Sequence, residues 1–134
     1  MIRLVLDTNI LISALLTPGG FPAQVLSLSL VDPDVQLCLS AEIYSEYEEV
    51  LRRPKFQRTE HEIVAILRAI RERAIWVKPT ETIRICSDPD DDVFLECAQA
   101  ANAHYLVTGN IKHFPPSWEG TKIATSRQFV ESLV

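Results

Sequence analysis

The chain has 134 residues, 47% hydrophobic and 23% charged, with only 4 glycines. That balance excludes a disordered, collagen-like or disulfide-scaffold polypeptide and fits a single ordered domain, residues 1–134, with a core of its own. Thirteen Lys and Arg against 18 Asp and Glu leave a net charge of −5, which argues against a general basic coat for nucleic acid and leaves local patches open.

Residues 2–7 (IRLVLD) read as a strand that is apolar apart from Arg3 until Asp7 closes it. A helix is predicted over 9–16, broken by Pro18, Gly19 and Gly20, and a second over 22–30 with Pro22 in its first turn. The second strand is VQLCL at 35–39; Ser40 caps a helix that runs to about Arg52, with Ile43, Tyr47, Val50 and Leu51 on its apolar face. Pro54 stops it, and a long helix over 60–73 buries Ile63, Ile66, Leu67 and Ile70. Residues 74–79 are a candidate third strand. Asp88 caps the next helix with Pro89 in its first position, placing Asp91 one turn inside. Strands at 104–108 and 121–125 follow, and Ser126 caps a closing helix. Strands alternating with helices predict right-handed crossovers and a mainly parallel sheet covered on both sides.

No apolar run approaches the ~18 residues of a membrane span, and Asp7 interrupts the first apolar stretch, so neither a span nor a secretory leader is expected. Cys38, Cys86 and Cys97 lack metal-site spacing and are odd in number. They are read as free thiols in a reducing, cytoplasmic setting. The histidines are scattered and make poor metal-ligand candidates.

Four polar residues stand where such a sheet binds ligands, outside the carboxyl ends of its strands. Asp7 ends the first strand, Glu46 lies at the edge of an apolar helix face, Asp91 opens a helix, and Asn110 follows the fourth strand. Carboxylates brought together repel, and a divalent cation resolves the conflict. Oxygen donors with retained waters suit Mg²⁺ or Mn²⁺ better than zinc. Such an ion polarises a phosphodiester and activates water. Of the consecutive Asp90, Asp91 and Asp92, Asp91 shares a face with Phe94 and Ala98, while Asp92 is expected to turn outward. Thr8, Asn9 and Thr108 have short polar side chains suited to holding the carboxylates or the strand-end turns. Arg53, Lys55 and Lys112 are candidates for meeting phosphates, with a solvated surface charge as the alternative for each.

The segments VLDTNILISALL, SAEIYSEYEEVLRRPKF, DPDDDVFLECAQAANAHYLVTGNIKHF and IATSRQFVESL resemble, in order and over nearly the whole chain, those of the PIN domain family. The resemblance is to its prokaryotic toxin components of toxin–antitoxin pairs. It implies a three-layer α/β/α fold with a five-stranded sheet in the order 3-2-1-4-5. It also implies a metal-dependent endoribonuclease that uses Asp7, Glu46 and Asp91 as metal ligands with Asn110 beside them. An antitoxin partner and a homodimer go with it, the latter offered apolar residues by TPGGFPAQVLSLSLV. Many family members carry Asp where this chain has Asn110; the amide keeps a carbonyl oxygen but no charge. A DNA or structure-specific nuclease of the same fold, and a binding module of weak activity, stand as alternatives.

Overall fold

The structure, a computed structural model, describes residues 1–133. Its core strands are the apolar runs of the sequence: β1 (Ile2–Leu6), β2 (Val35–Leu39), β4 (Tyr105–Val107) and β6 (Thr121–Ala124). Every residue of β2 is buried, so both faces of the sheet are covered there. The helices are α1 (Thr8–Leu16), α2 (Phe21–Val31), α3 (Ala41–Leu51), α4 (Glu60–Arg73), α5 (Pro89–Ala101) and α6 (Ser126–Ser132). Helix α5 packs on β1, β2 and β4, while α2 and α6 pack on each other. Arg3, the polar residue in β1, donates from Nη2 to the Asn102 carbonyl at 2.8 Å and so caps the end of α5.

The sheet has six strands in the order β3-β2-β1-β4-β6-β5, rather than the expected five. Its parallel part keeps the expected order. The extra strand, β5 (Ser117–Trp118), is an antiparallel edge paired with β6. A two-residue turn at Glu119 and Gly120 makes it, with φ of 46° and 87°. Paired positive φ is the geometry that matches hairpin twist. The third strand, expected over 74–79, is only β3 (Ile75–Trp76). It lies at the sheet edge with both residues exposed, and Pro79 has no N–H to extend a ladder. The last helix is capped by Thr125 rather than Ser126: its side chain accepts from the Gln128 amide, and Gln128 returns the bond.

Asp7 lies just past β1, at the N-cap position of α1. Its amide bonds the Val107 carbonyl at 2.9 Å, and Leu6 pairs with Val107. The ends of β1 and β4 are therefore neighbours, and the crevice outside them is bordered by α1, α3 and α5. Among the described residues no single helix is long and apolar enough to cross a membrane. Cys38, Cys86 and Cys97 are free thiols, the first and last of them buried.

Candidate active site

Asp7 is 6% exposed. Its Oδ2 accepts from the Thr108 hydroxyl at 2.7 Å and from Asn9 Nδ2 at 3.2 Å. Thr108 in turn accepts from the Asn110 amide at 3.0 Å, and Asn9 Oδ1 accepts from the Gly109 amide at 3.1 Å. The loop after β4 is thus tied to the carboxylate at the end of β1 through two side chains. Burial raises the Asp7 pKa; the Thr108 bond opposes this, the Glu46 charge adds to it, and the nearby amides of Thr8 and Asn9 oppose it.

Glu46 is half-buried on α3, and its Oε2 accepts from the Thr8 hydroxyl. Of the three short polar residues singled out in the sequence, Asn9 and Thr108 therefore hold Asp7, and Thr8 holds Glu46. Burial raises the Glu46 pKa, Thr8 opposes, Asp90 and Asp91 add to the rise, and Arg53 opposes.

Asp91 sits in the first turn of α5, where Asp88 supplies the cap by accepting from the Asp90 amide. Its side chain is 18% exposed and lies 3.8 Å from His113 Nδ1. Its pKa is pushed up to about 6 by burial, then by Asp7 and Asp88, with His113 acting against the rise and Asp90 with it. Asp92 is not turned outward. It is 5% exposed, and its Oδ1 accepts from the amides of Ile85 and Cys86 at 3.2 and 2.8 Å. Glu96, one turn on, accepts from the Ile83 amide at 3.0 Å. These carboxylates lash the segment before α5 to the helix, which is why the face carrying Asp92 is covered.

The electrostatics close a ring: Asp7 feels Glu46, Glu46 feels Asp91, and Asp91 feels Asp7, each raising the next. Among the described residues no Lys or Arg forms an ion pair with any of the three; the imidazole of His113 lies 3.8 Å from Asp91. No three His, Cys, Asp or Glu side chains among the described residues stand close enough to form a ready ligand cluster. The donor set still fits a hard divalent cation, because it is oxygen-only, negative and uncompensated. Mg²⁺ commonly keeps several waters and takes one or two carboxylates directly.

Asn110 is exposed next to this group, held through its amide. Lys112 follows on the short 3₁₀ turn Ile111–His113 and is exposed. Arg53 is paired with Glu49 at 2.9 Å, although its charge reaches Glu46. Lys55 lies over the Phe56 ring, 5.1 Å from its centroid. The sequence pattern marks Tyr47 only as part of an apolar helix face and gives no sign that His113 approaches Asp91. The signal for Asp92 was its phase: it stands three residues before Leu95, which is fully buried.

A sequence profile of the PIN domain matches residues 3–112. An uncharacterised protein of Methanocaldococcus jannaschii is 31% identical over 144 aligned positions, spanning 98% of this chain and 92% of that protein. Among solved structures, VapBC2 from Rickettsia felis bound to a DNA fragment from their promoter aligns with TM-score 0.61 at 17% identity, over 91% of this chain and 97% of that one. FitAcB from Neisseria gonorrhoeae aligns with TM-score 0.58 at 21% identity, over 92% and 98%. VapBC-1 from nontypeable Haemophilus influenzae aligns with TM-score 0.56 at 22% identity, over 84% and 90%. At these identities the structural likeness establishes the fold.

Proposed function

The chain belongs to the PIN domain family, and from that premise we propose that it is a divalent-metal-dependent nuclease that hydrolyses RNA phosphodiester bonds. One observation carries the reading: the carboxylates of Asp7 at the end of β1, Glu46 on α3 and Asp91 in the first turn of α5 all have pKa values raised by burial and by a neighbouring acid, with no Lys or Arg ion-paired to them among the described residues. A fold maintains such a conflict at a stability cost, and perturbed groups of this kind cluster at functional sites.

Asp7, Glu46 and Asp91 would hold Mg²⁺ or Mn²⁺, directly or through water, with Asn110 at its edge. When bound, the cation supplies positive charge for the scissile phosphate and lowers the pKa of an attacking water. The protein's own part is orientation. Thr108 and Asn9 hold Asp7 through Oδ2, and Thr8 holds Glu46 through Oε2. Lys112, exposed two residues past Asn110, would meet a neighbouring phosphate. Arg53 and Lys55 flank more distantly and serve the backbone beyond. No inserted subdomain interrupts the described residues, which favours a flexible single strand over branched DNA.

The toxin role and an antitoxin partner are supported by the sequence resemblance and by the likeness to the VapBC and FitAcB structures. A homodimer is supported by Leu16 and Val31, exposed on α1 and α2. A groove lined by Pro18, Ala23, Gln24, Ser27, Leu28 and Val130 opens on α2, and light scattering reads the assembly.

The test is cleavage of mixed RNA and single-stranded DNA with Mn²⁺, Mg²⁺ or EDTA, yielding 5′-phosphate and 3′-hydroxyl ends. Asp7→Asn lowers the rate by ~10²-fold or more, as loss of a major transition-state electrostatic contact does. Asn110→Ala costs less, because no formal charge is lost. Activity that survives EDTA, or survives both Asp7→Asn and Asp91→Asn, overturns the mechanism. A preference for DNA replaces the substrate, and no cleavage of either polymer leaves a binding module.

A further inference from the structure

Tyr47 is fully buried, yet it keeps a hydroxyl that packing alone does not require, since Phe fills nearly the same volume. A buried phenol needs a partner. Here it donates to the Leu6 carbonyl at 2.5 Å, joining α3 to the end of β1 across 41 positions of sequence. Leu6 immediately precedes Asp7, and Tyr47 immediately follows Glu46. On the other side of Asp7, Thr8 donates to Glu46. Residues 6 and 8, which flank one acid, are therefore gripped by residues 47 and 46, the second acid and its neighbour. Ile43 and Leu51, fully buried on the same face, seat α3 in the core, and the two bonds on adjacent residues set its fine position against the end of β1.

We propose that Tyr47 is a positioning residue for the acidic site: its hydroxyl clasps α3 to the Leu6 carbonyl and thereby fixes where Glu46 stands relative to Asp7. The role rests on the reading of the three carboxylates as a cation site.

The experiment compares wild type with Tyr47→Phe and Tyr44→Phe. Tyr44 lies on the same helix, and its hydroxyl accepts from Arg71 Nη1 at 3.2 Å, outside the cleft. Mn²⁺ affinity is measured by calorimetry. In metal-free protein, amide hydrogen exchange is read at Asp7 and Thr8, and an unfolding midpoint records that each variant is folded. Tyr47→Phe weakens Mn²⁺ binding by ~10-fold, the scale for losing an outer partner of a metal ligand. It also speeds exchange at Asp7 and Thr8. Tyr44→Phe changes neither. Tyr47→4-aminophenylalanine, which keeps a donor in place, recovers most of the affinity. A folded Tyr47→Phe protein with wild-type affinity and unchanged exchange overturns the clasp, as does failure of the amino variant to recover any loss. Wild type that binds no Mn²⁺ overturns the cation-site reading instead, and the metal-free exchange then decides on the clasp alone.

Discussion

Replacing Asp91 by Asn separates what the acidic cluster costs from what it is for. The Asp91 carboxyl titrates at about 6, against an ordinary 3.8. Burial is the main cause, the negative charges of Asp7 and Asp88 come next, and His113 opposes them. Between those two values the folded protein holds this proton more tightly than the unfolded chain does. The group's contribution to stability is therefore greatest below the unfolded value and is lost as pH rises through about 6. A shift of roughly two units corresponds to about 3 kcal/mol as a ceiling. Solvent screening at a partly exposed side chain lowers that figure, as does loss of a carboxylate favoured at a helix N-terminus, leaving about 1 kcal/mol. Asp91→Asn is thus expected to stabilise the metal-free protein by about 1 kcal/mol at neutral pH, with the gain fading as pH falls toward the ordinary carboxylate range. Mn²⁺ reverses the ranking. At ~100 times Kd a ligand stabilises the folded state by about 2.7 kcal/mol, and the variant loses most of that. Guanidinium chloride unfolding in EDTA and in Mn²⁺, repeated across pH, reads both halves. A variant no more stable than wild type in EDTA at neutral pH, or stabilised equally by Mn²⁺, refutes the reasoning.

Thr108→Val, at a fully buried position, removes the donor to Asp7 and the acceptor for the Asn110 amide. It is expected to cost about 2 kcal/mol, the scale for a bond to a charged group, and an unchanged unfolding midpoint would count against the network. Asp92→Ala leaves the Ile85 and Cys86 amides without their acceptor and is expected to destabilise by ~2 kcal/mol or more, whereas Asp92→Asn, which keeps a carbonyl oxygen, costs less than ~1 kcal/mol. Equal losses in the two variants, read by chemical denaturation, would show that the carboxylate's charge rather than its acceptor role holds the segment.

The contrast between neighbouring aspartates shows where the sequence stops being legible. The parallel strands and most helix limits rest on local signals. Apolar runs mark β1 and β2, Thr59 and Ser40 mark helix starts, and α4 spans Glu60–Arg73 as its apolar stripe requires. The β5 hairpin was hidden because its turn uses Glu119 and Gly120, and Glu carries none of the preference for positive φ that Asn or Asp shows at such turns. Asp7, Asp91 and Asn110 are visible in the sequence because they stand past a strand, at a helix start and in a strand-end loop, and Glu46 because it edges an apolar helix face. What no local pattern carries is which hydroxyl meets which acid: Thr8, next to Asp7 in the chain, serves Glu46, while Thr108, from another strand, serves Asp7. Asp91 and Asp92 differ for the same kind of reason. A rotation of ~100° per residue sends them to different sides of α5, and phase alone cannot name the solvated one when both sides are covered. The charge of Asp7 raises the Asp91 pKa, and Asp91 in turn raises that of Glu46, whereas Asp92 meets two backbone amides that offset its cost.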